Sequence, residues 1–259
     1  MSLAELAKGT GGFTGADLEN LMNEAALLAA RRHHRFISMA ELNEAVIKVI
    51  AGPEKKSRVV PQHERRLTAY HEAGHAIVIH DLPTQDPVHE ITIIPRGMAG
   101  GMTISLPQED VTFQTRQQLT ERIAVCLGGR AAEQLALGDI STGAGNDLQK
   151  ASAIARNMVT RYGMSDEFGM VALETINNQY LGGDTTLACS NETATRIDAA
   201  VIAMVKEAHD KAYQIISSHK DKLDEISAYL LEKETITGEE FMEILQRKPE
   251  ETTEANLEA

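Results

Sequence analysis

Three features of the sequence predict a mostly α-helical fold with a small β-sheet. Long stretches repeat apolar residues at three- and four-residue spacing, as in Ile197, Val201, Met204, Ala208, Ala212 and Ile215. Helix-start pairs, a Ser or Thr followed three residues later by an acid or amide, recur at Thr14/Asp17, Ser38/Glu41 and Thr115/Gln118. Only a few runs are short, β-branched and closed by turn residues. At 259 residues the chain is long enough for one large domain or two small ones.

In chain order, a loose turn at Gly9–Gly12 leads to a helix capped by Thr14, striped by Leu18, Leu21, Met22, Ala25, Leu28 and Ala29. It ends in the basic cluster Arg31-Arg32-His33-His34-Arg35. The His33-His34 pair has a metal-binding reading, but cations at a helix C-terminus are favourable without any metal, and that reading is preferred. A second helix extends from Ser38 through Ile50, striped by Leu42, Val46 and Ile50. The two form a helical hairpin at residues 1–51, too short to bury a core of its own, which reads as the remnant of a preceding domain. Residues 52–61, with Pro53, Pro61 and the charges Glu54, Lys55, Lys56 and Arg58, read as a linker. The opening Met1-Ser2-Leu3, with a helix already in progress, reads as an engineered start to a fragment of something longer.

The main domain is expected over residues 62–247. It begins with a helix from Leu67 to Asp81, stopped by Pro83. Three β-like runs come after it at Val88–Ile94, Gly101–Leu106 and Phe168–Leu173, and together they predict the small sheet. A long helix is expected at Thr115–Leu137, with Ile123, Leu127, Ala131 and Leu135 on its apolar face. Gly128-Gly129 in its middle predicts a close helix crossing or a kink. The turn Ser141–Asn146 opens a helix from Asp147 through Tyr162. A long amphipathic helix at Asn191–Ser218, a shorter one to Leu231 and another from Gly238 to Gln246 complete the domain. Residues 248–259 are acidic and polar and are expected to be disordered.

Composition removes several classes of function. Hydrophobic content of 42% and charged content of 24% fit a soluble globular protein. No apolar run reaches the length of a membrane span, and no signal peptide opens the chain. Net charge is −13; residues 1–60 carry 8 basic and 7 acidic side chains, the remainder 17 and 31. That balance argues against nucleic-acid binding. Cys126 and Cys189, the only two cysteines, have no metal-type spacing and are expected to be reduced.

Within the helix ending at Asp81 lies His71-Glu72-Ala73-Gly74-His75. Positions four apart share a helix face, so His71 and His75 can hold one metal ion together. Ala69, Ala73, Ala76, Ile77 and Val78 mark the helix as buried. Two histidines and a glutamate in such a helix are costly without partners, which favours a metal site over satisfied core histidines. Zinc held by two imidazoles with an open position lowers the pKa of its water toward neutral, and Glu72 is placed to take the proton. This is the minimal equipment for peptide-bond hydrolysis.

Catalytic zinc needs a third protein ligand. The extension x-x-Gly-x-x-His fails here, because its positions are Val78 and Asp81. The reversed His-x-x-Glu-His arrangement is absent. His80, His89 and Glu90 are close in sequence, but His80 faces elsewhere on the helix. Glu133 on the long helix and Asp147 at the start of the next are the candidates, and spacing does not separate them. Asp147 also has a plain reading as a helix-start acid.

Several blocks together resemble the FtsH family, the membrane-anchored, ATP-dependent AAA zinc metalloproteases of bacteria and of mitochondrial and chloroplast inner membranes. Thr10–Leu18 and Asn23–Arg31 are similar to the C-terminal helical, or lid, subdomain of its AAA module. His71–Ala76 is similar to its zinc helix. Gly128–Glu133, Thr142–Leu148 and Arg161–Ser165 match further blocks, and the resemblance covers nearly all of residues 1–245.

The resemblance implies His71, His75 and Asp147 as ligands of one zinc per chain, with Glu72 as general base and Glu133 a nearby structural acid. It implies a mostly helical peptidase domain with a small sheet near the active site, preceded by the AAA lid hairpin. Substrate is expected to add to an edge strand, here the run containing Gly101, Met102, Thr103 and Ile104, through sequence-tolerant main-chain pairing. The expected partners are unfolded or membrane protein substrates and a homohexamer, on the cytoplasmic side of a bacterial inner membrane. No nucleic acid and no direct membrane contact are expected for this fragment, which should be soluble. ATP belongs to the full-length protein, since the Walker A pattern Gly-x-x-x-x-Gly-Lys-Ser/Thr is missing. The rival reading is a metal-stabilised oligomerisation module with structural zinc; it gives Glu72 nothing to do. A DNA-binding hairpin resting on Arg31, Arg32 and Arg35 is disfavoured by the near-neutral charge around it.

Overall fold

A computed structural model describes residues 3–55, 59–97, 99–107, 111–177 and 184–247; the tail 248–259, expected to be disordered, lies outside them. Helix α1 (Leu3–Gly9) leads into α2 (Gly15–Arg31) and α3 (Met39–Ala51). Thr14 caps α2 and Ser38 caps α3, each with the reciprocal bond to the acid three residues on, Asp17 or Glu41. The local signals therefore set both starts. Leu21, Ala25, Leu28, Leu42, Ala45 and Val46 close into a separate small cluster between these helices. The hairpin thus has a modest apolar core of its own, where its length alone predicts none.

The larger apolar cluster is built from the elements after residue 61. Helix α4 (Gln62–Asp81) leads to strands β1 (Val88–Thr92) and β2 (Met102–Ser105). Helices α5 (Arg116–Leu137) and α6 (Gly145–Thr160) come next, joined through a 3-10 turn at Thr142–Ala144. Thr115 and Gln118 form the expected capping pair on α5. After a hairpin of β3 (Glu174–Asn177) and β4 (Asp184–Leu187) the chain runs through α7 (Asn191–Ser218), α8 (Lys220–Lys233), β5 (Thr235–Thr237) and α9 (Gly238–Gln246). Helix α4 packs on α5 and α8, and α5 packs on α6 and α7. Ile77, Ile123, Leu127, Met158, Ile197, Ile216, Leu223 and Ile226 are fully buried between them. Among the described residues no helix is long and apolar enough to cross a membrane.

Strand β1 is central, with β2 and β5 antiparallel on its two sides, and Ile91 faces Thr103 on one and Ile236 on the other. The expected third strand, Phe168–Leu173, is not one. Gly169 turns into the left-handed region at φ 62°, its N–H donates to the Ser165 carbonyl, and Met170 is fully exposed. A tight glycine turn cannot continue a ladder. Chain pairing resumes only at β3, which joins β4 in a separate hairpin. The third position in the sheet is taken by β5, three residues between two helices.

Gly128 and Gly129 resolve as a close helix crossing. A methyl group on Gly74 would lie 2.6 Å from the Gly128 carbonyl oxygen and 2.5 Å from the Ala132 Cβ, and one on Gly128 would lie 2.9 Å from the Gly74 carbonyl oxygen. The backbones of α4 and α5 touch at this point, which fixes what each helix presents to the other.

Candidate metal centre

The crossing buries the turn of α4 from His71 to His75. His71, Glu72 and His75 are 7%, 6% and 8% exposed. Each imidazole is anchored through Nδ1 by an acceptor from α5. His71 meets Glu133 Oε1 at 2.7 Å, and His75 meets the Val125 carbonyl oxygen at 2.7 Å. A carbonyl only accepts, so His75 carries its proton on Nδ1 and leaves Nε2 free. Anchoring Nδ1 in this way orients the ring and raises the basicity of Nε2 toward a metal.

Both Nε2 atoms point at one place. They stand 3.0 Å apart, and Asp147 Oδ2 lies 3.4 Å from that of His71 and 3.7 Å from that of His75. Asp147 sits in the first turn of α6, aimed by the 3-10 turn that Ser141 caps. Among the described residues, His71, His75 and Asp147 form the one group of His, Cys, Asp or Glu whose ligand atoms could hold a metal, all within 4.8 Å of one another. Two imidazole nitrogens and a carboxylate oxygen suit a borderline-soft divalent ion such as zinc and leave a fourth position open. The donor set fits.

The charges are consistent with that arrangement. Burial pushes Asp147 up, but the neighbouring His71 and His75 rings outweigh it and hold the carboxyl well below the usual range. Burial pulls His71 down, while its bonds to Asp147 and Glu133 and the charge of Glu72 raise it to about 10. Burial raises Glu72 above the usual carboxylate range, against the pull of both imidazoles and Thr103.

Glu72 leaves α4 toward β2. The Thr103 hydroxyl lies 2.8 Å from Glu72 Oε2 and 3.0 Å from the Glu72 carbonyl oxygen. Gly101 brings the strand in closely, for a methyl group there would stand 3.0 Å from Glu72 Cγ and 2.8 Å from the Thr92 carbonyl oxygen. Thus Gly101 and Thr103 face Glu72, Met102 is half-buried and Ile104 is buried at 7%. Strand β2 is an edge of the sheet, paired on one side only among the described residues.

The other candidates lie apart from this convergence. Glu133 stands behind His71, and its carboxylate also accepts from the Ser141 N–H at 2.7 Å and the Ser141 hydroxyl at 3.1 Å. His80 packs edge-on against Phe241, while His89 and Glu90 line a cleft of about 790 Å³ with Glu44, Glu54 and Arg96. His33 ends α2 at φ 58°, and His34 pairs with Glu41 at 3.1 Å. Three supporting partners are not foreseen from sequence: the Val125 carbonyl, Ser141 and the inward hydroxyl of Thr103. A main-chain acceptor carries no residue signature, and Ser141 reads in the sequence only as a turn residue.

Two family models match the chain, one in each of its parts. The model of Peptidase family M41 matches residues 58–244, and that of the AAA+ lid domain matches residues 1–44. An ATP-dependent zinc metalloprotease FtsH of Caldicellulosiruptor bescii is 51% identical over 95% of this chain and 40% of its own length. One from Thermoanaerobacter sp. is 51% identical over 94% of this chain and 40% of its own, and one from Clostridium perfringens is 46% identical over 100% and 36%. The chain therefore spans about 40% of the length of the curated relatives it matches.

Proposed function

The chain belongs to peptidase family M41, and from that membership and the site's geometry we propose that it is the proteolytic part of an ATP-dependent, membrane-anchored quality-control protease. Its reaction is zinc-dependent endoproteolysis of unfolded polypeptides. The observation that carries this is the convergence of His71 Nε2, His75 Nε2 and Asp147 Oδ2 beside Glu72, with both Nδ1 atoms tied to α5.

Residues 62–247 form the peptidase domain, residues 1–51 the end of an AAA lid subdomain, and residues 52–61 the linker. His71, His75 and Asp147 hold zinc, and Glu133 holds His71. Bound there, zinc supplies Lewis acidity toward the scissile carbonyl and toward water. Glu72 takes a proton from the attacking water and returns it to the leaving amine. The outer edge of the run from Gly101 to Ile104, which leads into β2 and is paired on one side only among the described residues, receives an extended peptide through its main chain. Because Thr103 turns inward to Glu72 and Ile104 is buried, these side chains read little of the substrate's sequence.

The intact protein works as a homohexamer on the cytoplasmic side of a bacterial inner membrane, degrading unfolded and membrane proteins. ATP drives unfolding there; the chain has no Walker A sequence and is not expected to bind nucleotide. Alone, it should cleave peptides and unfolded chains but spare stably folded ones. The test is peptide cleavage alongside elemental analysis. One zinc per chain, loss of activity on chelation, and a zinc-loaded but inactive Glu72→Gln variant are expected. Equal cleavage by Glu72→Gln would sink the mechanism.

A further inference from the structure

We propose that Thr103 is a positioning residue for the general base: its hydroxyl fixes the carboxylate of Glu72, so the strand that receives substrate also aims the group that moves the proton. This rests on the reading of the site as a peptidase and extends it to a residue outside the His71–His75 motif.

The two contacts of Thr103 both go to Glu72. The hydroxyl has one proton and two acceptors within reach, Oε2 at 2.8 Å and the main-chain carbonyl oxygen at 3.0 Å. The carbonyl oxygen belongs to the α4 backbone and is fixed by the helix. Thr103 therefore references the carboxylate to a rigid point of its own residue. A β-branched threonine has a stiff χ1, so the hydroxyl is itself held. Gly101, two residues earlier, is closely packed: a methyl group there would stand 2.5 Å from Thr68 Cγ2, 2.8 Å from the Thr92 carbonyl oxygen and 3.0 Å from Glu72 Cγ. Strand β2 is also laddered to β1 at Thr103 opposite Ile91, whose side chain is fully buried.

Occupying Oε2 divides the work of the carboxylate. Oε2 is committed to Thr103, and Oε1 is the oxygen left to take the proton from water. Without the hydroxyl, the terminal torsion of Glu72 has a broad, two-fold range, and nothing at this point distinguishes its oxygens. A base must sit within hydrogen-bond reach of the proton it removes, so loss of aim costs rate rather than binding. Substrate pairing along β2 uses the strand's main chain, which a change at the Thr103 hydroxyl leaves in place.

The discriminating variants are Thr103→Val, which keeps shape and removes the hydroxyl, and Thr103→Ser, which restores it. For the zinc-loaded protein on a fluorogenic peptide, Thr103→Val should lower kcat by roughly tenfold or more, with KM within about twofold, and Thr103→Ser should recover most of the loss. Zinc content and melting temperature should match the parent in both. A Thr103→Val protein with parental kcat, or a Thr103→Ser protein as impaired as Thr103→Val, overturns the proposal. A rise in KM with kcat unchanged would make Thr103 a substrate contact instead. Crystal structures of both variants supply a readout independent of activity. The Glu72 carboxylate should change rotamer in Thr103→Val and keep it in Thr103→Ser; an unmoved carboxylate in Thr103→Val overturns the positioning role even if the parent proves inactive. Absence of cleavage by the parent with zinc bound would reject the peptidase reading, and the structural comparison would still decide what Thr103 holds.

Discussion

Glu133 accepts the Nδ1 proton of His71 at 2.7 Å, on the side of the ring away from Asp147, which faces Nε2 at 3.4 Å. One imidazole thus separates two carboxylates that spacing along the chain leaves equivalent. The predicted consequence is graded. Asp147→Ala removes one of the three converging donors and should abolish stoichiometric zinc. Glu133→Gln keeps an acceptor in place but removes charge behind the ring, and should weaken zinc by about 10- to 100-fold. Competition titration against a chelator of known affinity measures both; comparable losses in the two variants would contradict the assignment.

The parts of the fold that are legible in the sequence share one property, locality. Thr14/Asp17, Ser38/Glu41 and Thr115/Gln118 announce their helices because a capping box is closed within four residues. His71 and His75 announce the site because one turn of helix brings them together. Asp147 cannot be separated from Glu133 by spacing, since their distances to His71 depend on how α5 and α6 cross α4. The contact between Thr103 and Glu72 spans 31 residues and exists only once the sheet has docked. Strand β5 is invisible in the sequence because three residues between two helices carry no period, and Phe168–Leu173 fails as a strand because Gly169 turns where a strand must extend.

Metal binding should release protons. Without metal, hydrogen bonds to Asp147 and Glu133 raise His71 to about 10 despite burial, so the ring is charged at neutral pH. A metal takes the neutral imidazole. Apparent zinc affinity should therefore rise with pH, by about tenfold per unit, until pH passes about 10. Calorimetry in buffers of different ionisation enthalpy should report about one proton released at neutral pH for this ring. For the metal-free fold the sign is opposite: the raised pKa contributes stability that is fully present below about 6.5 and lost as pH rises through about 10.

The start of α3 in the lid hairpin should be acid-sensitive. Glu41 accepts from the Ser38 hydroxyl and N–H and from Arg32, which together hold its carboxyl down at about 2. A depressed carboxyl contributes stability present above its unfolded value and lost as pH falls toward its folded one. The capping of α3 should accordingly weaken between about 4.5 and 2. Hydrogen exchange of the α3 first-turn amides across that window tests this, and Glu41→Gln should flatten the dependence.

The glycines at the helix crossing separate stability from metal binding. In an exposed helix, Gly→Ala gains up to about 1 kcal/mol from propensity. At Gly74 the new methyl group meets backbone at 2.6 Å, where nothing can yield cheaply, and overpacking costs about 1–3 kcal/mol. Gly74→Ala should therefore lower the denaturation midpoint, whereas Gly15→Ala, with open space around it, should leave it level or raise it slightly. Gly129 differs in kind. Its nearest neighbours are the His71 ring atoms at 2.5–2.6 Å, so a methyl group there presses on that ring rather than on backbone. The ring cannot retreat freely while Glu133 holds Nδ1, and its Nε2 must leave the position shared with His75 and Asp147. Gly129→Ala should lose zinc affinity by tenfold or more, roughly the scale set by other groups that orient a ligand. Chelator competition and urea denaturation on the same three variants should place Gly129→Ala apart from Gly74→Ala in the ratio of lost affinity to lost stability, and an equal ratio would mean that the crossing acts on the site only through the fold.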